Sequence, residues 1–159
     1  MRRKDKEIKN MTAIEAIIKR AQVCRLACVD DGKPYIVPLC FGYEAGTLYF
    51  HAAQAGRKLD ILRKNPQVCF EFDIDQELVR GQNACDWGMN YRSIIGFGTA
   101  SLLETPEAKK AALDCIMQHY DAPGPYEYSD ASLARTLVIK VDIEQMTGKA
   151  AGYAVETEQ

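Results

Sequence analysis

Two adjacent cations, Arg57 and Lys58, follow a run of small residues, Ala52-Ala53-Gln54-Ala55-Gly56, and open a stretch with helical spacing. A helix N-terminus exposes unpaired N–H groups and carries roughly half a positive charge, so a cation in the first turn costs about 0.3–1 kcal/mol. An anion would relieve both the cations and the bare amides. Small residues, backbone amides and paired basic side chains together make a phosphate site. The alternative is two solvated cations on an exposed turn, with Asp60 partly compensating. His51 stands just before this loop, where it could donate a hydrogen bond to an anion or deliver a proton. A histidine that merely satisfies a strand end is the competing reading. His51 and His119 are the only histidines, so a histidine-rich metal site is not expected, and no motif signals a Ser-His-Asp arrangement.

These groups need a strand, a tight loop and a helix to position them. Thr47 to Phe50 are β-branched and aromatic, and Lys58 to Lys64 place Leu59 and Leu62 at helical spacing until Asn65-Pro66 stops them. Upstream, Thr12-Ala13-Ile14-Glu15 has a capping-box pattern, and Ile14, Ile17, Ile18 and Ala21 line one face of a short helix. Val23 to Val29 predicts a strand, Asp30-Asp31-Gly32-Lys33 a hairpin turn, and Tyr35 to Tyr43 the return strand, with a further turn at Glu44-Ala45-Gly46. Pro34 and Pro38 remove ladder donors, which places part of that strand at an edge, at a bulge or against a ligand.

Gln67 to Phe72 predicts another strand, and Asp73 to Asn90 a polar excursion containing Trp87, the only tryptophan. Tyr91 to Leu103 is a long strand in which Gly96 and Gly98 mark a bend, a bulge or a close backbone approach. Thr105-Pro106-Glu107 starts a helix to about His119; Asp121 to Asp130 is a loop, Ala131 to Arg135 a brief helix, and Leu137 to Ile143 the last strand. The expectation is a mainly β fold, a six-stranded antiparallel barrel, closed or nearly so, with helices inserted at its periphery.

The 159 residues are expected to form one domain, with the charged leader 1–10 and the tail 150–159 peripheral. A hydrophobic fraction of 47%, a charged fraction of 26% and a net charge of −2 give no general reason to bind nucleic acid or membrane, so a basic site must be local. No signal peptide or spanning segment is evident, and the expected compartment is the cytoplasm. The six cysteines are expected to be reduced. Cys24 and Cys28, about 13 Å apart on a strand at roughly 3.3 Å per residue, cannot share a metal ion.

The segment CRLACVDDGKPYIVPLCFGYEAGTLYFHAAQAGRKLDILRKNPQVCFEFD, followed by YRSIIGFGTASLLE and a closing strand ending in TGK, resembles the pyridoxamine 5′-phosphate oxidase-like flavin-binding split barrels. Within them it is most similar to the 5-nitroimidazole-resistance (Nim) branch. The resemblance spans roughly Cys24 to Gly148, and its most specific piece is YFHAAQAGRKLDILRKNP with the later IGFG strand. It implies a split barrel and a homodimer holding FMN, with FAD as the alternative, in a groove at the subunit interface. Arg57 and Lys58 would take the flavin phosphate, Tyr35, Ile36, Val37, Pro38 and Leu39 would line the isoalloxazine, and His51 would sit beside the ring or phosphate. Tyr91, Arg92 and Ser93 would contribute from the neighbouring strand or the partner subunit. The implied activity is a flavin-dependent oxidoreductase acting on a small molecule, with nitroimidazole reduction foremost. Oxidation of a phosphorylated B6 vitamer and non-catalytic binding of flavin or haem are the alternatives.

Overall fold

The computed structural model describes residues 2–154; Met1 and the tail beyond residue 154 lie outside the described residues. The elements are β1 (Glu7–Ile8), α1 (Met11–Arg20), β2 (Cys24–Asp30), β3 (Lys33–Leu39), β4 (Gly42–Glu44), β5 (Thr47–Ala53), α2 (Arg57–Lys64), β6 (Gln67–Val79), β7 (Gly88–Leu103), α3 (Pro106–His119), α4 (Asp130–Arg135) and β8 (Thr136–Ala151). All strand pairs are antiparallel, in the order β3-β2-β6-β7-β8-β5-β4, with β1 added to β8. The path ends at β3 on one side and at β4 on the other, so the barrel is split and not closed. The six expected strands are the six long ones; β1 and β4 are short additions. Among the described residues no helix is long and apolar enough to cross a membrane.

The inward faces of the strands carry the core. Leu26, Leu48, Phe50, Phe70, Phe72, Ile94 and Ile139 are fully enclosed, and Ile14, Ile17 and Ile18 of α1 close over them. Alternation along each strand puts the apolar set on one side and explains why the register is fixed. Gly96 and Gly98 are close-approach positions: a Cβ on Gly96 would overlap the Phe70 ring, and one on Gly98 the Asp142 carbonyl. The β7–β8 register also shifts between Phe97 and Gly98, leaving Glu144 unpaired. The bend and the close approach expected there are both present.

Three local expectations are corrected. The cap of α1 is Asn10, whose Oδ1 accepts the Thr12 and Ala13 N–H groups at 2.8 and 3.3 Å. Glu15 is free of the box because the Tyr43 hydroxyl donates to it at 3.0 Å. The strand expected over Tyr35 to Tyr43 breaks at Cys40-Phe41. Phe41 turns into the core, its ring 4.8 Å from Phe72 and 4.0 Å from His119, while its N–H donates to the Tyr120 hydroxyl at 3.1 Å. The chain therefore leaves β3 and crosses the split before β4 begins. The polar excursion is mostly strand: β6 runs on to Val79 and β7 starts at Gly88, so residues 77–90 form a two-stranded arm with a short 3₁₀ turn at Ala84–Asp86.

Strand β3 pairs only with β2. Asp31 and Gly32, at φ 47° and 80°, form a two-residue turn of the type that matches strand twist, so the flanking Asp30 and Lys33 face each other as a hydrogen-bonded pair. Counting along the ladder, Pro34, Ile36 and Pro38 are the positions whose backbone groups face away from β2. The two residues that lack an N–H thus occupy the free edge, as expected for proline in a sheet.

Candidate functional site

The split opens a groove of about 370 Å³ between β3 and the β5–α2 connection. One wall is the inward face of β3. Tyr35, Val37 and Leu39 share the face of their partners Cys28, Leu26 and Cys24, yet they are only half-buried because no strand follows them across the split. Pro38 joins this wall. The opposite wall is Ala52, Ala53, Ala55 and Gly56, and the end is closed by Arg57, Lys58 and Leu59.

The connection is built so that α2 starts bare. Gly56 is the N-cap with φ 143° and ψ 158°, a conformation open essentially to glycine alone, and no side chain caps the helix. The first intrahelical bonds run from Leu59 and Asp60 N–H to the Gly56 carbonyl at 2.9 and 3.2 Å, so the Arg57 and Lys58 amides are the orphan donors of this end. Leu59, Ile61 and Leu62 are buried and anchor α2. Gln54 ties the loop to the neighbouring helix, its Nε2 donating to the Ala134 carbonyl at 2.6 Å.

The two cations differ. The Arg57 guanidinium stands over the Tyr35 ring, 4.8 Å from its centroid, and its Nη2 is 3.5 Å from Asp30 Oδ2. Lys58 is half-buried, and among the described residues no carboxylate lies within ion-pairing distance of it. Burial holds the Lys58 ammonium below its ordinary value, partly offset by the nearby Cys28 thiol, which burial in turn pushes up. A desolvated cation without a partner, two orphan amides and an arginine converge at one end of a groove with apolar walls. That donor set fits a phosphate, and the walls fit a flat ring system attached to it.

The remaining expected site residues are distributed as follows. Ile36 lies on the other face of β3 and is 58% exposed. His51 faces outward on β5 opposite Val138 and is not a wall residue; its neighbours Ala52 and Ala53 are. Tyr91, Arg92 and Ser93 lie on β7, separated from β3 by β2 and β6, so one chain does not bring them to the groove. Arg92 is bonded to Asp75 at 2.5 Å and stacks on Tyr153 at 4.2 Å. Tyr91 lies beneath the Lys149 ammonium, 5.4 Å from its ring centroid. Asp30, the carboxylate beside Arg57, was not expected at the site; the β2–β3 hairpin pattern with Tyr35 five residues on was the available signal. His119, the last residue of α3, donates from Nε2 to the Ala21 carbonyl at 2.7 Å and packs against Phe41. All six cysteines are free. Among the described residues no three His, Cys, Asp or Glu side chains form a metal-binding group.

Several known proteins are similar to this chain. A family model described as pyridoxamine 5′-phosphate oxidase matches residues 10–150. A solved structure of a candidate 5-nitroimidazole antibiotic resistance protein from Bacteroides thetaiotaomicron is 38% identical, with 90% of this chain and 85% of that chain covered and a TM-score of 0.81. A FAD-binding protein from Mesorhizobium loti is 26% identical, with 90% and 96% covered and a TM-score of 0.66. An uncharacterized protein from Rhizobium meliloti (strain 1021) is 33% identical over 57 residues, a match that covers 36% of this chain and 37% of that protein's length.

Proposed function

The chain belongs to the pyridoxamine 5′-phosphate oxidase family, and from that premise we propose that it is a flavin-dependent oxidoreductase that reduces a small nitroaromatic compound. The observation that carries the flavin is the groove end where Arg57, Lys58 and the uncapped start of α2 converge without a counter-ion for Lys58. The nitroaromatic substrate rests on the 38% identity, over 90% of this chain, with the candidate nitroimidazole-resistance protein. A bound flavin would supply the reversible electron transfer, and the protein its orientation and electrostatics.

The residues divide the work. The α2 amides with Arg57 and Lys58 hold the phosphate, and FMN is the form proposed. Because Arg57 stands over Tyr35, a phosphate held by Arg57 would lie beside Tyr35, and Val37 and Leu39 would be left to line an attached ring. The alanines opposite leave width for the ring and exclude little else. Backbone groups at Pro34, Ile36 and Pro38 face the split and offer one N–H and three carbonyls to the ring edge.

A homodimer completes the site. Ile36, Ala27, Cys69 and Phe97 are register neighbours across β3, β2, β6 and β7, and this row faces away from the core with Ile36 and Phe97 exposed. On β7 the same outward face carries Tyr91, Ser93 and Ile95, so Tyr91 and Ser93 are the ones placed to reach a second copy. Arg92 faces the other way and is held by Asp75.

The test is direct. Protein purified from cells should be yellow and release FMN in near one-to-one amount on denaturation. The Arg57→Ala/Lys58→Ala double variant should lose it, because hydrogen bonds to charged groups are worth about 1.5–3 kcal/mol each. The flavin should be oxidised by a nitroimidazole after reduction with dithionite. A colourless protein that refuses added flavin would refute the reading. Flavin that passes electrons to no acceptor would leave a carrier or sensor in place of an enzyme.

A further inference from the structure

The phosphate end of the groove is bounded on its far side by an acid. Following β3 away from the ring end, Tyr35 is succeeded by the hairpin turn, and there Asp30 faces Arg57 with 3.5 Å between Oδ2 and Nη2. The contact is longer than a hydrogen bond, so the two groups meet as charges. Among the described residues Arg57 is the one cation within ion-pairing distance of Asp30. Beyond this pair lies a second cavity of about 250 Å³, between the turn and the C-terminal half of α2, whose charged lining is Asp30, Asp31 and Lys64. Arg57 lines the groove and Asp30 lines this cavity, so their charge pair joins the two spaces, with the Arg57 guanidinium also over the Tyr35 ring.

Resting on the flavin reading above, we propose that Asp30 sets the length of the cofactor: it admits a terminal phosphomonoester at Arg57 and disfavours a diphosphate that continues past it. A phosphomonoester concentrates about 1.5 to 2 negative charges where the α2 amides, Arg57 and Lys58 converge. A dinucleotide places one charge there and must carry the next towards Asp30 and Asp31. The first contact is favourable for both ligands. The second is a like-charge approach in partly desolvated surroundings, with the Arg57–Asp30 pair across the path. Lys33, opposite Asp30 in the hairpin, and Lys64 are solvent-exposed and offset this only from the rim. Asp30 is thereby a specificity residue: it touches the phosphate end only through Arg57 and the space beyond it.

The experiment is a pair of fluorescence titrations, FMN and FAD, into flavin-stripped wild-type protein, Asp30→Asn and Asp31→Asn. Asparagine at either place keeps a carbonyl, and Asp31 has φ 47°, which asparagine adopts readily. Wild type should bind FMN at least about tenfold tighter than FAD. Asp30→Asn should bring FAD within about threefold of FMN while FMN affinity changes little, and Asp31→Asn should have a smaller effect in the same direction. FMN binding by each variant reports that it has folded. Equal affinity of wild type for the two flavins, or an unchanged ratio in Asp30→Asn with FMN binding intact, overturns this inference and leaves the flavin reading standing. Failure of both flavins to bind wild type overturns both.

Discussion

Gly56 determines how α2 presents its first amides to the groove. Its φ of 143° and ψ of 158° let the chain turn from β5 into α2 with the first amides facing the groove, and no atom lies where a Cβ would be. The position is therefore open in space and closed in conformation. Gly56→Ala should destabilise the apo protein by about 1–3 kcal/mol, read from urea unfolding, and should weaken flavin binding as the amides re-aim. A neutral substitution would mean that the helix starts differently. The cationic end of the groove was legible in the sequence because two cations follow a run of small residues at a helix start, against the helix dipole. Tyr35, Val37, Pro38 and Leu39 line the same groove as Arg57 and Lys58, while Ile36 of the same expected set does not. Asp30 was hidden because its neighbourhood depends on where α2 packs against β2, which no spacing in the chain encodes. The outward placement of His51 was equally hidden, since a strand end offers both faces until its neighbours are known.

At the scale of elements, Asp75 gathers several contacts at the base of the arm formed by residues 77–90. Asp75 sits at a register shift with φ 58°, its carboxylate accepts from Arg20 at 2.6 and 3.1 Å and from Arg92 at 2.5 Å, and its carbonyl accepts from the Tyr153 hydroxyl at 3.0 Å. The hydrogen bond from Arg20, helped by Arg92 against a small burial cost, holds the carboxyl below its ordinary value of 3.8. The unfolded chain therefore binds this proton more readily than the folded one. The stabilisation is fully present above 3.8 and is lost as pH falls through the folded value. Asp75→Asn keeps the left-handed backbone accessible and removes the charge. It should be less stable than wild type near neutrality, and the two stability curves should converge in acid, measured by urea unfolding from about pH 7 to about pH 3. Curves that stay parallel would show that the carboxylate contributes nothing. The arm eluded sequence reading for a physical reason: a ribbon with both faces in water has no inward side, so the alternation that reveals a strand is missing. The break at Cys40-Phe41 eluded it for the opposite reason, because an apolar run gives no sign of where it dives into the core.

For the whole molecule, the exposed row through Phe97 leads to a prediction about assembly. If the second copy seats on this row, Phe97→Asp should yield monomers by sedimentation, and flavin should be released as the dimer dissociates, since ligand and partner stabilise the same state. A monomer holding flavin at full affinity would mean that one chain completes the groove. That the barrel is split came from the family resemblance, while the antiparallel barrel itself was legible from six patterned strands, the turn signals between them and the two prolines that marked an edge. The strand order was not, because β3, β4 and β5 are consecutive in the chain yet β3 stands at the opposite end of the sheet from β4 and β5. The prolines of β3 carry one more consequence. A free sheet edge is a template on which strands of other molecules can polymerise, and such growth needs a donor at every second residue. On β3, Ile36 supplies a donor and Pro34 and Pro38 on either side do not. The free edge beside the groove is thereby a poor seed for fibrils, even in a concentrated solution of the protein.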